Sequence, residues 1–390
     1  MSATVRPAAE ALLPIYRRFP VCIVAGEGCE LIADDGTRYL DFVAGISVNL
    51  LGYNHPVLRG ALERAAATGV LHTSNLYHTV PGEELAAELV ERSFASHVFF
   101  CNSGAEANEG AFKFARRAAK GPEQRDIVAL KGSFHGRTFA TLAATDRPQY
   151  REPFLPLVPG IRIVDPDNQA ELEGAITARR TAAVIVEPVQ GEGGIHVLPD
   201  TLLQDLREMC TDAGAALIFD EIQCGLGRTG TLFAYEQTGV VPDMVTLAKG
   251  LGGGLPMGAV LVNQVIAAAL EPGDHATTFG GGPFVASLSL AQLGVLADPA
   301  FLADVRRKGE WLEARLATLV ARHESVVTVR GRGLMWGIEL KDAAQPVVER
   351  ALERGLLVIS AGPSVVRLLP PLVITIEELA RGVDLLESCL

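Results

Sequence analysis

The stretch DMVTLAKGLGGGLPMGA, residues 243–259, places one lysine, Lys249, between an apolar run and a run of glycines. The apolar run is short and nearly continuous, which is typical of a strand covered on both faces of a sheet. The glycines after it predict a turn. Lys249 therefore ends a predicted strand with no acidic neighbour in the sequence and little water around it, and burial lowers the pKa of an amine. It is either a paired structural charge or a nucleophilic amine.

Four earlier segments repeat this pattern of a short apolar run followed by a turn and helical sequence. They are HVFFC (97–101), DIVAL (126–130), TAAVIVE (181–187) and AALIFD (215–220). Strands that alternate with helices in this way predict a doubly wound α/β core around a mostly parallel sheet. We assign residues 56–285 to this large domain.

The two ends of the chain have a different pattern. A long amphipathic helix is predicted near 301–323, strands around 325–330 and 333–340, and further helices near 345–354 and 376–388. Near the start, GCELIADDGTRYLDF (28–42) is typical of a β-hairpin. We therefore predict a smaller α+β domain formed by residues 1–55 and 286–390.

The composition narrows the class of protein. The chain has 390 residues, of which 48% are hydrophobic and 21% charged, and its net charge is −12. It lacks a basic cluster for nucleic acid and an apolar run near the roughly 18 residues of a membrane span. The N-terminal stretch MSATVRPAAEALLP lacks the pattern of a secretory signal. We expect a cytoplasmic protein without nucleic-acid or membrane partners. The cysteines at positions 22, 29, 101, 210, 224 and 389 lack metal-binding spacing, so we expect free buried thiols and no metal site.

Polar and reactive residues follow the predicted strands. SGAE (103–106) comes after the first strand, Phe134 and His135 after the second, and Glu187, Asp220 and Lys249 at the ends of the next three. The carboxyl ends of parallel strands meet at one edge of the sheet, which is where open α/β sheets bind ligands. We expect these residues to form one site.

Each of these residues also has a structural alternative. Ser103 and Glu106 fit an S-x-x-E capping box, which needs no ligand. A helix that opens with Ser-Gly is equally suited to bind a phosphate group through its free N–H groups. Asp220 could lie in a solvated turn, or could keep a pyridinium nitrogen protonated. Phe134 and His135 could be core residues.

One motif suggests a different cofactor. GLGRTG, residues 225–230, fits the G-x-G-x-x-G pattern of dinucleotide-binding proteins, and Asp243 stands near the offset of a ribose-binding acid. Against this, EIQC separates the glycines from the predicted strand end at Asp220, and no clear helix start follows. Asp243 also precedes its strand. A nucleotide-dependent oxidoreductase is therefore the alternative to a lysine-based enzyme.

Eight motifs in register give the chain a resemblance to a known family. They are NSGAEANEGAFKFAR, FHGRT, EPVQGEGG, LIFDEIQCGLGRTG, LAKGLGGGLPMGA, HATTFGG, GRGLMWGIEL and RLLPPLVIT. From about residue 20 to 376 the chain resembles the class III aminotransferases that depend on pyridoxal 5'-phosphate. HTSNLYHT and LDFVAGISVNLLGYNHP resemble the acetylornithine aminotransferase branch of that family. The resemblance implies a fold-type I transferase that forms a homodimer.

The resemblance also implies roles for the candidate residues in binding the cofactor. Lys249 would hold it as a Schiff base and, once released, would move the proton between substrate and cofactor. Asp220 would pair with the ring nitrogen, which keeps the cofactor an electron sink. Phe134 would stack on the ring, Gln223 would approach its hydroxyl, and Thr278 would reach the phosphate from the partner subunit. The other cofactor-binding positions would be Ser103, Gly104 and Ala105, which cradle the phosphate, with His135 and Glu187.

Two arginines resemble the carboxylate-binding residues of the family. They are Arg137 of FHGRT and Arg367 of VVRLLPP, although each could be a surface arginine. A guanidinium binds a carboxylate at two points. 2-Oxoglutarate would engage both arginines, whereas a donor with one carboxylate would leave Arg367 to be neutralised by Glu192, which makes Glu192 a catalytic candidate. The implied reaction moves the δ-amino group of N2-acetylornithine to 2-oxoglutarate, as in arginine biosynthesis.

Other donors are consistent with the same motifs. They are succinylornithine, free ornithine, 4-aminobutyrate and a carrier-linked lysine, and a non-catalytic protein that binds the cofactor is a further alternative. The chain departs from the family pattern at GGGPF, residues 280–284, where GGNP is common. This departure lies beside Thr278.

Overall fold

The computed structural model describes residues 11–390, so the first part of the predicted N-terminal segment, residues 1–10, lies outside the described residues. The strands are β1 (Ile23–Glu27), β2 (Glu30–Ala33), β3 (Arg38–Asp41), β4 (His97–Cys101), β5 (Asp126–Leu130), β6 (Ile161–Val164), β7 (Thr181–Val186), β8 (Val189–Gln190), β9 (His196–Val197), β10 (Ala216–Asp220), β11 (Met244–Leu247), β12 (Gly258–Val262), β13 (Val326–Arg332), β14 (Met335–Leu340), β15 (Leu356–Leu357), β16 (Ile359–Ser360) and β17 (Val365–Leu368).

The helices are distributed along the whole described chain. They are α1 (Ala44–Ser47), α2 (Pro56–Ala67), α3 (Val80–Glu91), α4 (Gly104–Ala118), α5 (Phe139–Ala143), α6 (Pro148–Arg151), α7 (Gln169–Ala175), α8 (Asp200–Ala213), α9 (Gln264–Ala268), α10 (Pro283–Leu296), α11 (Pro299–Arg322), α12 (Gln345–Glu353) and α13 (Ile376–Glu387). Short 3₁₀ turns occur at Glu152–Phe154, Ala234–Gln237 and Lys249–Gly252.

The central sheet has seven strands in the order β4-β12-β11-β10-β7-β5-β6. The pairs from β11 to β6 are parallel, whereas β12 is antiparallel to both of its neighbours. The predicted doubly wound, mostly parallel sheet is therefore confirmed, and all five predicted strands are present. The added strand β12 lies directly after the glycine-rich turn and was not predicted. Strand β4 is only partly buried, contrary to the two-sided cover expected, because it lies at the sheet edge.

Helices cover the sheet on both faces. Alternate residues of β5 belong to two separate apolar clusters, Val128 and Leu130 to one and Ile127 and Ala129 to the other. Successive side chains of a strand point to opposite faces. The buried residues of α8 belong to the first cluster and those of α4 to the second, so these helices cover opposite faces. This arrangement leaves the carboxyl ends of the strands as the open edge.

The two ends of the chain share smaller sheets. β2 and β3 form the predicted antiparallel hairpin, and β3 also pairs with β15 from the C-terminal segment. A second sheet has the order β13-β14-β17-β16 and is antiparallel throughout. The predicted long helix near 301–323 is α11. The domain boundaries at residues 55 and 285 stay a prediction.

Two sequence expectations concern cysteines and membrane helices. All six cysteines are free, but Cys22 is exposed, so the expectation that every thiol is buried is wrong for that residue. It lies just before β1, whose residues are also mostly exposed. Within residues 11–390 no single helix is long and apolar enough to cross a membrane, and only α10 with α11 meets both conditions as a pair, bent by 67°.

Candidate active site

A cavity of about 480 Å³ lies at the carboxyl ends of the central strands. Its lining includes most of the residues predicted for the site: Ser103, Gly104, Ala105, Phe134, His135, Arg137, Glu187, Asp220, Gln223 and Lys249. Loops that follow β4, β5, β7, β10 and β11 bring them together, as the parallel sheet requires. Val48, Ile222 and Met257 also line the cavity.

Lys249 begins the 3₁₀ turn after β11 with a backbone φ of +44°. A non-glycine residue in this left-handed region costs roughly 1–2 kcal/mol, and such strain is typical of functional sites. No ion pair among residues 11–390 includes Lys249, and the nearby carboxylates Glu192 and Asp220 pair with Arg367 and His135. Burial lowers the pKa of its amine, and the attraction of Glu192 offsets only part of that effect. The amine is thus not part of a structural ion pair among the described residues.

Asp220, at the end of β10, is 4% exposed and held on both carboxylate oxygens. Its Oδ2 accepts a hydrogen bond from Asn108 Nδ2 and lies 2.8 Å from His135 Nδ1. Its Oδ1 accepts from the backbone N–H of Ile222 at 3.1 Å. Asn108, on α4, also donates to the carbonyl of His135 at 2.8 Å. Asn108 was not predicted from the sequence, where its only signal is an inward position on the helix after SGAE.

Glu187 lies just beyond β7 and binds two main-chain groups. Its carboxylate accepts hydrogen bonds from the N–H of Phe134 at 2.8 Å and the N–H of Gly191 at 3.0 Å. Burial raises the pKa of Glu187, and the charge of His135 opposes that rise. Glu187 therefore fixes the turn after β5 that carries Phe134 and His135 into the cavity.

The N-terminus of α4 faces the cavity with free N–H groups. Ser103 is the N-cap, and its Oγ accepts from the N–H of Glu106 at 3.2 Å. The predicted capping box forms only in part, because Glu106 reaches back to the N–H and the amide of Asn102 instead of to Ser103. A Cβ on Gly258 would lie 2.6 Å from the carbonyl oxygen of Ser103, so glycine is needed there. This helix end is suited to bind an anion.

Arg367 and Glu192 lie beside the cavity, behind Gln223, and are not among the residues that line it. Arg367, on β17, is 1% exposed, and its Nη1 is 2.5 Å from Glu192 Oε1 and 3.1 Å from Gln223 Oε1. Its Nε is buried without a partner among the described residues. Burial alone would raise the pKa of Glu192, but the positive charge of Arg367 lowers it by more. The pKa of Glu192 is therefore lowered overall. Arg367 keeps one N–H donor that no described residue uses.

Arg137 and Thr278 are two exposed residues among those predicted for the site. Arg137 is exposed at the cavity rim, and its guanidinium lies 3.5 Å from the ring centroid of Tyr150 and 5.6 Å from that of Phe134. Tyr150 was not predicted, since nothing in its local sequence marks it. Thr278 is exposed and does not line this cavity. It is the one predicted cofactor-binding residue that the structure does not bring to the cavity of its own chain.

The GLGRTG segment does not have the geometry of a dinucleotide site. A dinucleotide motif needs a turn that joins a strand directly to a helix N-terminus. Here Gly227 and Gly230 have φ values of +89° and +100° within successive tight turns, and only the 3₁₀ turn Ala234–Gln237 follows. Asp243 accepts from the N–H of Leu217 and pairs with Arg207. The nucleotide alternative is therefore wrong.

The cavity instead combines an unpaired lysine, a buried carboxylate and a helix N-terminus, which is the donor set that suits pyridoxal 5'-phosphate. The profile of the family described as aminotransferase class-III matches residues 14–390. The chain belongs to the class III aminotransferases. Enzymes of this family use pyridoxal 5'-phosphate, so the sequence expectations of family, enzyme class and cofactor are confirmed.

Several relatives are similar over almost the whole chain. The acetylornithine aminotransferase of Methanocaldococcus jannaschii is 46% identical over 96% of this chain and 95% of its own, and that of Gloeobacter violaceus is 47% identical over 96% and 94%. Among solved structures, N-acetylornithine aminotransferase from Stenotrophomonas maltophilia is 39% identical over 96% of both chains, with a TM-score of 0.83. The ornithine aminotransferase of Toxoplasma gondii is 31% identical over 98% of this chain and 92% of its own, with a TM-score of 0.93.

Proposed function

We propose that this chain transfers the δ-amino group of N2-acetylornithine to 2-oxoglutarate, giving N-acetylglutamate 5-semialdehyde and glutamate, as a step of arginine biosynthesis. The observation that carries the proposal is the unpaired Lys249 facing both the α4 N-terminus and Asp220 in one cavity. The relatives named acetylornithine aminotransferase, at 42–47% identity, support this donor.

The residues around the cavity are proposed to bind the cofactor by its two charged ends. When bound, pyridoxal 5'-phosphate supplies an electron sink for the carbon that loses its proton. The N–H groups of Gly104 and Ala105, with Ser103, bind the phosphate at the helix N-terminus. Asp220 would pair with the ring nitrogen, and its contacts with Asn108 and His135 hold its carboxylate in a fixed orientation.

The remaining cavity residues orient the ring. Phe134, whose N–H donates to Glu187, would stack on one face of the ring. Gln223 approaches the ring hydroxyl while it accepts a hydrogen bond from Arg367. These residues would orient the ring relative to Lys249.

Lys249 is the proposed catalytic base. Burial lowers the pKa of its amine, so a larger fraction is neutral at a given pH than for an exposed lysine. A neutral amine would be able to hold the cofactor through its aldehyde and, when free, to accept the proton from the donor's carbon. Its side chain lines the cavity, and its backbone has the positive φ described above.

Two arginines are proposed to select the substrates. The donor's α-carboxylate binds Arg137, which directs its far amine toward Lys249, while Arg367 stays paired with Glu192. 2-Oxoglutarate brings a second carboxylate, which displaces Glu192 and uses both arginines. One cavity thereby accepts a monocarboxylate donor and a dicarboxylate acceptor in turn.

Free ornithine is the second candidate donor. The structural likeness to the T. gondii ornithine aminotransferase, with its TM-score of 0.93, favours it. Acetylation removes the positive charge of the α-nitrogen, whereas free ornithine would need an acid to receive that charge. Glu192 is already engaged with Arg367, so acetylornithine is the better match.

The proposed enzyme is a cytoplasmic homodimer in which Thr278 reaches the phosphate of the partner's cofactor. An exposed apolar surface beside Thr278 supports this interface. It includes Phe279, which is 61% exposed and lies 5.0 Å from the ring of His72, and the exposed residues Val70, Leu71, Leu76 and Tyr77. Dilution should lower the dimer fraction and cofactor retention together, whereas a fully active monomer in sedimentation would refute the interface.

The proposal is tested first by spectroscopy and turnover. Purified protein should be yellow, with an absorbance band that Lys249→Ala abolishes, and borohydride reduction should leave a pyridoxyl group on Lys249 in peptide mass spectrometry. Acetylornithine with 2-oxoglutarate should yield glutamate. A protein that binds the cofactor at Lys249 but converts no amine would instead be a non-catalytic relative.

A further inference from the structure

A fully buried arginine that the proposed mechanism does not use lies next to the active site. Arg228, within GLGRTG, is 0% exposed. Its Nη1 donates to the carbonyl oxygens of Leu334 at 2.9 Å and Pro370 at 2.5 Å, and its Nε donates to Ser47 Oγ at 3.0 Å. Nη2 has no partner among the described residues, and no carboxylate there pairs with Arg228. A buried cation without an ion pair is costly, so its position calls for a specific reason.

The loop that carries Arg228 is built to hold it rigidly. Both ends are fixed by Glu221, which accepts from the N–H groups of Ala234 and Tyr235. The main chain of Arg228 also accepts from the N–H of Leu334 at 3.0 Å. A Cβ on Gly333 would lie 2.7 Å from the carbonyl oxygen of Arg228, so the two segments touch through their backbones.

Ser47, which binds Arg228, ends an unusual turn. Ala44, Gly45, Ile46 and Ser47 have φ values of 50°, 64°, 64° and 63°, so four successive residues are left-handed. Left-handed conformation is unfavourable for the three that are not glycine. Asp41 anchors the start of the turn by accepting from the N–H of Ala44, and Arg228 anchors its end through Ser47. The turn leads directly into Val48, which lines the cavity.

Two short paths connect Arg228 to Arg367. In the first, the hydroxyl of Ser47 donates to the carbonyl oxygen of Gln223 at 3.1 Å, and the side chain of Gln223 accepts from Arg367 at 3.1 Å. In the second, Pro370 follows Arg367 by three residues, just beyond the end of β17. Arg228 therefore fixes both the neighbour of Arg367 and the strand that carries it.

We propose that Arg228 is a positioning residue for the amino acceptor, which holds Gln223 and the end of β17 so that Arg367 meets the second carboxylate of a dicarboxylate. This inference rests on the proposed role of Arg367. It predicts that loss of Arg228 weakens dicarboxylate binding far more than binding of a monocarboxylate donor, because the donor leaves Arg367 paired with Glu192. It also gives the GLGRTG segment a function other than nucleotide binding.

The test uses the holoenzyme and three variants, Arg228→Met, Arg228→Lys and Ser47→Ala. The measurements are KM for 2-oxoglutarate and for acetylornithine, and the Kd of glutarate, a dicarboxylate that cannot accept an amino group. Arg228→Met should raise KM for 2-oxoglutarate and Kd for glutarate at least tenfold, with KM for acetylornithine changed less than threefold. Arg228→Lys should fall between wild type and Arg228→Met, and Ser47→Ala should give a smaller shift in the same direction.

A matched control separates positioning from general destabilisation. Arg350 is exposed and donates two hydrogen bonds to the carbonyl oxygen of Cys389, away from the cavity, so Arg350→Met removes arginine-to-carbonyl hydrogen bonds at a remote place. It should leave the ratio of the two KM values unchanged. If Arg228→Met does not fold, the KM ratios of Arg228→Lys and Ser47→Ala test the positioning role instead.

Arg367→Ala distinguishes this inference from the proposal on which it rests. If Arg367→Ala weakens glutarate binding but the folded Arg228 and Ser47 variants leave the KM ratio within twofold of wild type, the positioning role is refuted. If Arg367→Ala itself leaves glutarate binding and the 2-oxoglutarate reaction intact, the proposed role of Arg367 fails first.

Discussion

Glu192 Oε1 lies 2.5 Å from Arg367 Nη1, and the Nε of the same arginine is buried without a partner. Glu192 neutralises the charge of Arg367 through Nη1, while Nε remains able to donate a hydrogen bond. An incoming carboxylate can therefore replace Glu192 rather than compete for a saturated guanidinium. The first prediction concerns this exchange.

Arg367→Ala should damage the half-reaction with 2-oxoglutarate far more than the half-reaction with the donor. Truncating one partner of a buried charge pair costs about 2–5 kcal/mol, so kcat/KM for 2-oxoglutarate should fall at least thirtyfold. Single-turnover absorbance changes measure each half-reaction separately. Equal damage to both substrates would mean that Glu192 does not neutralise Arg367 in the donor phase.

Arg137→Ala should cripple both half-reactions, since both substrates are proposed to use this arginine. The loss is on the order of 2–5 kcal/mol if substrate desolvates the contact, although Arg137 is exposed before substrate binds. Arg137→Lys keeps the charge but not the two-point geometry and should recover only part of the rate. If kcat/KM for one substrate is unchanged in Arg137→Ala, then that substrate does not bind this arginine.

Gly258→Ala should weaken cofactor binding without unfolding the protein. The new Cβ would lie 2.6 Å from the carbonyl oxygen of Ser103, so the N-cap of α4 must shift. Overpacking of this kind costs about 1–3 kcal/mol, which predicts a rise in the Kd of pyridoxal 5'-phosphate of about tenfold, measured by absorbance titration. Gly174→Ala, in α7 with no atom within 4 Å of the new Cβ, is the control and should leave Kd unchanged. Normal affinity in Gly258→Ala would argue against the helix N-terminus as the phosphate site.

Lys249→Met should stabilise the cofactor-free protein near neutral pH. The pKa of Lys249 is lowered in the folded state from the ordinary 10.5, so below that value the unfolded chain binds more protons and wild-type stability rises with pH. Lys249→Met has no buried amine to lower its stability. Its unfolding midpoint temperature should therefore exceed that of wild type most at low pH, and the difference should disappear near pH 10.5.

Calorimetry of cofactor-free protein between pH 6.5 and 10 measures this difference over the relevant range. Lys341→Met, at an exposed lysine outside the cavity, is the control for replacing a lysine with methionine. A Lys249→Met protein that is less stable than wild type at pH 7 would show that the amine is held by compensating charges rather than merely buried.

Much of the central sheet could be predicted because buried parallel strands have continuous apolar runs in the sequence. DIVAL and AALIFD match β5 and β10 almost residue for residue. The site residues were found for a related reason, since the parallel sheet brings the positions after its strands to one edge. The antiparallel β12 was missed because GAVLV directly follows a glycine-rich turn and resembles its continuation.

Other features depend on contacts that are distant in sequence. The left-handed turn at Ala44–Ser47 contains residues that rarely adopt positive φ, and side chains as distant in sequence as Arg228 contribute to holding it. Asn108 reaches Asp220 across 112 positions of sequence. Arg228 lies within GLGRTG, a motif that usually indicates nucleotide binding, so its burial was not predicted. That burial depends on the segments of Ser47, Leu334 and Pro370.

The central claim is that this aminotransferase acts on an N-acylated ornithine. A competition assay tests it most directly: holoenzyme, limiting 2-oxoglutarate, and equal concentrations of acetylornithine, succinylornithine, ornithine and 4-aminobutyrate, with consumption of each donor followed by mass spectrometry. The ratio of initial rates equals the ratio of kcat/KM values. We predict that acetylornithine is consumed at least tenfold faster than ornithine or 4-aminobutyrate. Faster consumption of either of those two would contradict the account and assign the protein to a neighbouring branch of the family.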